Sequence, residues 1–196
     1  MRPSAAYLAI GLLSYLPVRA LFRLRARGLE NVPSEGGAVL AGNHSSNLDP
    51  WPLALPLFPR RWLRFMAKSE LYWWPLKYLL DACGAFRVRR GESDTEAIET
   101  AVELCRSGEI VVMFPEGTRR RKGLRKKWEA RAHSGAARIA RDAGVPLIPA
   151  AISGTDRIRR LGPFRVAYGT PVEVGDDPRE TTDRLMVAIH ALEETL

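Results

Sequence analysis

The chain has 196 residues, with 30 Lys and Arg against 22 Asp and Glu and a formal charge of +8. Hydrophobic residues make up 46% and charged residues 27%, a globular composition that excludes a disordered or fibrous chain and, at this length, predicts one domain. The positive excess calls for an acidic partner: nucleic acid, a polyphosphate ligand, an acidic protein or an anionic lipid surface.

Residues 4–24 read as a helix with Ala6, Leu8, Leu12, Leu13, Leu16, Leu21 and Phe22 as its apolar positions. It is apolar nearly all round at first and basic at its end, so it packs into a partner or lies in a bilayer interface. Ser14 and Pro17 interrupt the stretch from Ala5 to Val18, which falls short of the ~18 apolar residues of a spanning helix. Arg23, Arg25 and Arg27 follow it where a secretory signal has small cleavage-site residues, so a cytoplasmic location is expected. Residues 1–28 are thus expected to be a membrane-associating helix and 29–196 a single domain.

Beyond a loop at 29–36, strand and helix patterns alternate. Ala38 to Ala41 and Trp62 to Ala67 predict strands, Leu71 to Leu80 a helix, and Gly84 to Val88 a strand. A helix over Thr95 to Arg106 precedes the clearest buried strand, Glu109 to Phe114. Ser134 opens a helix that stops at Gly144, Val145 to Ile152 and Phe164 to Val174 predict strands, and Asp176 or Asp177 opens a last helix. This alternation predicts an α/β fold with a mixed, largely parallel sheet covered by helices. Cys83 and Cys105 fit neither a disulfide framework nor a metal-ligand cluster and read as buried small hydrophobes. No metal site is expected.

Asn43-His44-Ser45-Ser46-Asn47-Leu48-Asp49 follows the first of these strands, at the edge where open α/β sheets bind ligands. A His and an Asp five residues apart across a tight turn can face each other, and the carboxylate would then select the imidazole tautomer. The same residues also describe an ordinary helix start, with Asp49 as N-cap and Pro50 at the first helical position. Phe114-Pro115-Glu116-Gly117-Thr118-Arg119 leaves the strongest strand at the same kind of edge, with a glycine turn and an arginine fork suited to phosphate. Gly84 to Arg90 ends a third strand, on which Arg87 and Arg89 share one face and Arg90 takes the other. Val145 to Pro149 forms a fourth.

These four blocks in this order resemble the glycerolipid acyltransferase family, which includes the bacterial lysophosphatidic acid (1-acyl-glycerol-3-phosphate) acyltransferases. The resemblance covers about residues 38–156, and the third block matches at every position. It implies a catalytic pair, His44 as general base and Asp49 as its orienting partner. It further implies substrate contacts from Asn43, Lys68, Arg90, Glu116, Gly117, Thr118 and Arg119. The implied donor is acyl-CoA or acyl carrier protein, with no other cofactor. The implied acceptor is lysophosphatidic acid or a related lysolipid, met peripherally at the anionic cytoplasmic face of the cell membrane. Another lysophospholipid or an amino- or glycolipid acceptor stays open, as does a non-catalytic basic module binding membrane or nucleic acid. No helix-turn-helix, RNP or zinc signature supports a nucleic-acid partner. Arg119 to Lys127 carries seven basic residues in nine positions, read either as a solvated loop or as a contact for anionic groups. Trp73, Trp74 and the nearby Tyr72 and Tyr78 fit an interfacial belt or core packing, and His133 and His190 read as structural and surface residues.

Overall fold

The computed structural model describes residues 4–88, 94–117 and 132–196 and, within them, every side chain except those of Lys68 and Asp94. A helix, α1 (Ala5–Leu21), leads into β1 (Arg25–Arg27), β2 (Ala38–Gly42), α2 (Pro50–Ala54) and β3 (Leu63–Lys68). Then come α3 (Leu76–Ala82), β4 (Ala85–Val88), α4 (Asp94–Arg106), β5 (Ile110–Met113) and α5 (Gly135–Ala143). The chain closes with β6 (Leu147–Ser153), β7 (Arg165–Tyr168) and α6 (Pro178–Glu194).

Among the described residues the strands form one sheet in the order β1-β7-β6-β2-β5-β3-β4. β6, β2, β5, β3 and β4 run parallel, whereas β7 is antiparallel to β6 and parallel to β1. The continuous apolar runs follow from burial on both faces. Along β2, Val39 and Ala41 face the cluster built with α4, α5 and α6, while Ala38 and Leu40 face the cluster containing Leu53 of α2. Every residue of β2 is buried. Gly144, at φ 66°, ends α5 in the left-handed conformation that its lack of a Cβ permits.

Three expectations change at element ends. The first helix stops at Leu21 rather than 24, and Arg25–Arg27 add a strand to the sheet from within the first 28 residues. The helix expected from Leu71 starts at Leu76, because Pro75 has no N–H for a helical bond and disfavours helical geometry at Trp74. The strand expected over Phe164 to Val174 is only Arg165–Tyr168, with a single further bridge from Val172 to Leu147.

The first helix also turns its faces in an unexpected sense. Its inward stripe is Tyr7, Gly11, Val18 and, just beyond, Phe22, while Leu12, Leu13 and Leu16 point outward. Gly11 lets the backbone close on the Phe58 ring, where a Cβ would lie 2.4 Å from a ring carbon. The Trp51 indole N–H donates to Ser14 Oγ at 3.2 Å, fastening α1 to α2. Among the described residues no helix is long and apolar enough to cross a membrane.

The segment carrying α2 is locked from below by Tyr168, whose buried hydroxyl donates to the Leu53 carbonyl at 2.7 Å. Tyr168→Phe deletes this bond and leaves that carbonyl short of a donor. A loss of about 1–3 kcal/mol in unfolding free energy is expected, read as a lower urea midpoint at unchanged slope.

Candidate active site

Parallel order brings the ends of β6, β2 and β5 to one edge on adjacent strands, about 4.8 Å apart. The loop after β2 carries His44 and Asp49, and the loop after β5 carries Phe114 to Gly117. His44 Nδ1 lies 2.8 Å from Asp49 Oδ2, and the imidazole stacks on the Phe114 ring at a centroid distance of 4.2 Å and 19° between planes. His44 keeps 17% of its side chain exposed, whereas Asp49 is wholly buried.

A carboxylate removed from water needs donors on both oxygens. Asp49 Oδ2 accepts from the backbone N–H groups of Ser45 at 2.7 Å and Ser46 at 2.8 Å as well as from His44. Oδ1 accepts from the Thr155 hydroxyl at 2.5 Å and from Ser45 Oγ at 3.3 Å. Burial pushes the Asp49 carboxyl up, but the bonds from His44, Ser46, Thr155 and Ser45 outweigh it and hold the group below its ordinary 3.8. With the ionised carboxylate on Nδ1, that nitrogen carries the proton, and Nε2 is left as a hydrogen-bond acceptor.

The helix-start reading of Asp49 is half right. Asp49 occupies the N-cap position of α2 and Pro50 the first turn, yet the Asp49 side chain makes no capping bond. Its oxygens turn back to the preceding loop instead.

The side chain of Asn43, expected among the substrate contacts, bonds the backbone of β6. Its amide donates to the Ile152 carbonyl at 3.0 Å and accepts from the Ile152 N–H at 2.8 Å, joining the end of β2 to β6. Glu116 and Gly117 lie in the turn after β5, where Gly117 N–H donates to the Phe114 carbonyl at 3.0 Å. Lys68 ends β3 in register with Val88, at the same edge. Arg90, Thr118, Arg119 and the basic run from Arg119 to Lys127 lie outside the described residues. Arg87 is exposed on β4 with its guanidinium 5.9 Å from the Tyr72 ring centroid.

Two neighbours, His133 and Thr155, were not among the expected site residues. His133 sits against Gly117, so that a Cβ there would come within 2.5 Å of the imidazole, and its backbone N–H donates to the Pro115 carbonyl at 2.8 Å. Gly117 has φ +65°, so the turn requires glycine twice over. Thr155 follows the end of β6, and no local signal marks it, because that strand's place beside β2 is set by the sheet. Cys105 is buried with its thiol pushed up to about 12 by burial, which fits its reading as a small core residue.

The sign of Asp49's contribution to stability follows from its depressed pKa. Its ionised form stabilises the fold above the unfolded value, and this is lost as pH falls through the folded value. Asp49→Asn does not titrate. Its unfolding free energy should therefore fall less steeply than the parent's between about pH 5 and about pH 2, measured by urea unfolding at each pH.

A family model described as Acyltransferase matches residues 23–153. The chain is 31% identical over 174 residues to 1-acyl-sn-glycerol-3-phosphate acyltransferase of Bacillus subtilis, covering 85% of this chain and 83% of that protein. It is 28% identical over 151 residues to a chloroplastic 1-acyl-sn-glycerol-3-phosphate acyltransferase of Arabidopsis thaliana, covering 75% of this chain and 40% of the plant protein. Its fold is similar to the crystal structure of the 1-acyl-sn-glycerophosphate (LPA) acyltransferase PlsC from Thermotoga maritima. That match has a TM-score of 0.69 and 23% identity over 96% of this chain and 78% of the other. With the family model spanning both motif loops, and a relative alike over most of both chains, this chain belongs to the acyltransferase family.

Proposed function

We propose that the chain transfers a fatty acyl group from acyl-CoA or acyl carrier protein to the free hydroxyl of 1-acyl-glycerol-3-phosphate, giving phosphatidic acid. The observation that carries this reading is the His44–Asp49 pair, held at one sheet edge beside the Phe114 to Gly117 turn. The relatives' substrate supports the acceptor.

In this reading His44 Nε2 removes the proton as the acceptor oxygen bonds to the thioester carbonyl carbon. The carbonyl oxygen becomes an oxyanion in the tetrahedral intermediate. Collapse breaks the carbon–sulfur bond, and the departing thiolate takes the proton from His44. Asp49 stabilises the imidazolium between these two steps. Both substrates are held together, so no acyl-enzyme forms and no further cofactor takes part. Lys68, Arg90 and Arg119 are the proposed phosphate contacts, Glu116 and Gly117 meet the glycerol portion, and Asn43 and Thr118 are further proposed substrate contacts.

A lipid acceptor is met at a surface, and α1 has the face for it. Leu13 is 75% exposed, with Leu12 and Leu16 close behind, and Trp73, Trp74 and Tyr78 add exposed aromatic groups near α3. Apolar side chains and basic residues together suit peripheral attachment to anionic lipid on the cytoplasmic face. The Trp51–Ser14 bond keeps this helix next to the segment that carries Asp49.

One acyl-CoA assayed against a panel of acceptors tests the reaction. 1-Acyl-glycerol-3-phosphate should be acylated and its dephosphorylated counterpart should fail. His44→Ala should lower kcat by ~10²–10⁴ while keeping its circular dichroism spectrum. Equal use of both acceptors removes the phosphate assignment, and near-parent turnover in folded His44→Ala removes the base. For attachment, Leu12, Leu13 and Leu16 all replaced by Ser should weaken cosedimentation with phosphatidylglycerol vesicles at least ~10-fold. Unchanged binding places the membrane contact elsewhere.

A further inference from the structure

The two oxygens of Asp49 are held very differently. Oδ2 meets three donors, all from residues 44–46 of its own loop. Oδ1 depends on Thr155, which is 106 residues away in sequence, with Ser45 Oγ at the longer 3.3 Å. Thr155 is itself only 1% exposed, so no solvent substitutes for its hydroxyl.

The geometry assigns the protons. At 2.5 Å from a carboxylate, the single Thr155 proton belongs in the bond to Asp49, in the range of charge-assisted O–H···O⁻ contacts. Ser45 Oγ lies 3.0 Å from Thr155 Oγ1 and shares its single proton between that oxygen and Asp49 Oδ1. Thr155 becomes the link between the end of β6 and the loop after β2.

The backbone is arranged for this contact. Gly154 turns the chain at φ 93°, and a Cβ there would lie 2.2 Å from the Pro163 carbonyl oxygen. Glycine at 154 is thus what allows Thr155 to arrive beneath Asp49. Thr155 lies beyond residue 153, where the match to the family model ends.

We propose that Thr155 is a positioning residue for acyl transfer. Its hydroxyl stops the Asp49 carboxylate from turning about its own bond, which keeps Oδ2 on His44 Nδ1 and Nε2 aimed at the acceptor hydroxyl. The proposal rests on the reading of His44 as base, and acts through Asp49 rather than on substrate.

Thr155→Val keeps the side-chain shape without the hydroxyl, and Thr155→Ser keeps the hydroxyl. With acyl-CoA and 1-acyl-glycerol-3-phosphate, Thr155→Val should lose between ~10- and ~100-fold in kcat with the acceptor KM within about twofold. Thr155→Ser should stay within about threefold of the parent. Adding Thr155→Val to Asp49→Ala should produce no further loss, since the partner is gone. Parent-like kcat in Thr155→Val, equal loss in both variants, a loss confined to KM, or full additivity with Asp49→Ala overturns the proposal. Thr155→Ala replaces the valine variant if that one melts below the assay temperature.

A second measurement does not depend on turnover. In protein carrying nitrogen-15 histidine, the His44 Nδ1 proton should give a downfield resonance that Thr155→Ser retains and Thr155→Val shifts or loses. An unmoved resonance in Thr155→Val overturns the positioning role. If the parent acylates no lysolipid, the functional reading fails while this resonance still decides what Thr155 does.

Discussion

A carboxylate with no access to water exists as an anion only if donors surround it, and Asp49 organises the ligand edge of the molecule by that requirement. It gathers the His44 ring, two consecutive backbone N–H groups and a hydroxyl from the turn after β6. The loop after β2 is consequently wrapped around one side chain. An exposed Asp at the same place would have capped α2 and left the imidazole to choose its own tautomer.

That arrangement is available only because the sheet is parallel where it matters. β2 sits between β6 and β5 with all three running the same way, so three loops distant in sequence emerge side by side. β5 delivers Phe114, whose ring packs on the His44 imidazole, and β6 delivers Thr155. Asn43 lengthens the β2–β6 ladder by one side-chain pair just before the loop departs, which fixes where His44 begins. Beneath them Tyr168 on β7 holds α2 through the Leu53 carbonyl. The His44–Asp49 pair thus stands on elements whose positions are over-determined, as the attack geometry of the proposed reaction demands.

At the surface, α1 shows how packing chooses between two faces that periodicity treats alike. Tyr7 packs its ring against Phe58 and Trp62, Gly11 admits the Phe58 ring, and Val18 joins Phe22, Leu55 and Phe164. The more hydrophobic leucines are left outside. That leaves an apolar face turned to solvent beside the segment that carries Asp49, the face proposed to meet a lipid surface.

Much of this was legible in the residues. Apolar runs bounded by turns marked β2, β5 and β6, and the spacing of Asn43, His44 and Asp49 together with the unbroken 114–119 motif pointed to the family. Those features are local, being set by burial of a short strand or by the reach of one turn. The burial of Asp49, the diversion of Asn43 to Ile152 and the arrival of Thr155 were not legible, because each depends on which strands become neighbours. Strand order is decided by the packing of the whole sheet. Sequence spacing cannot express a contact across 106 residues, and only the closed fold places those two oxygens 2.5 Å apart.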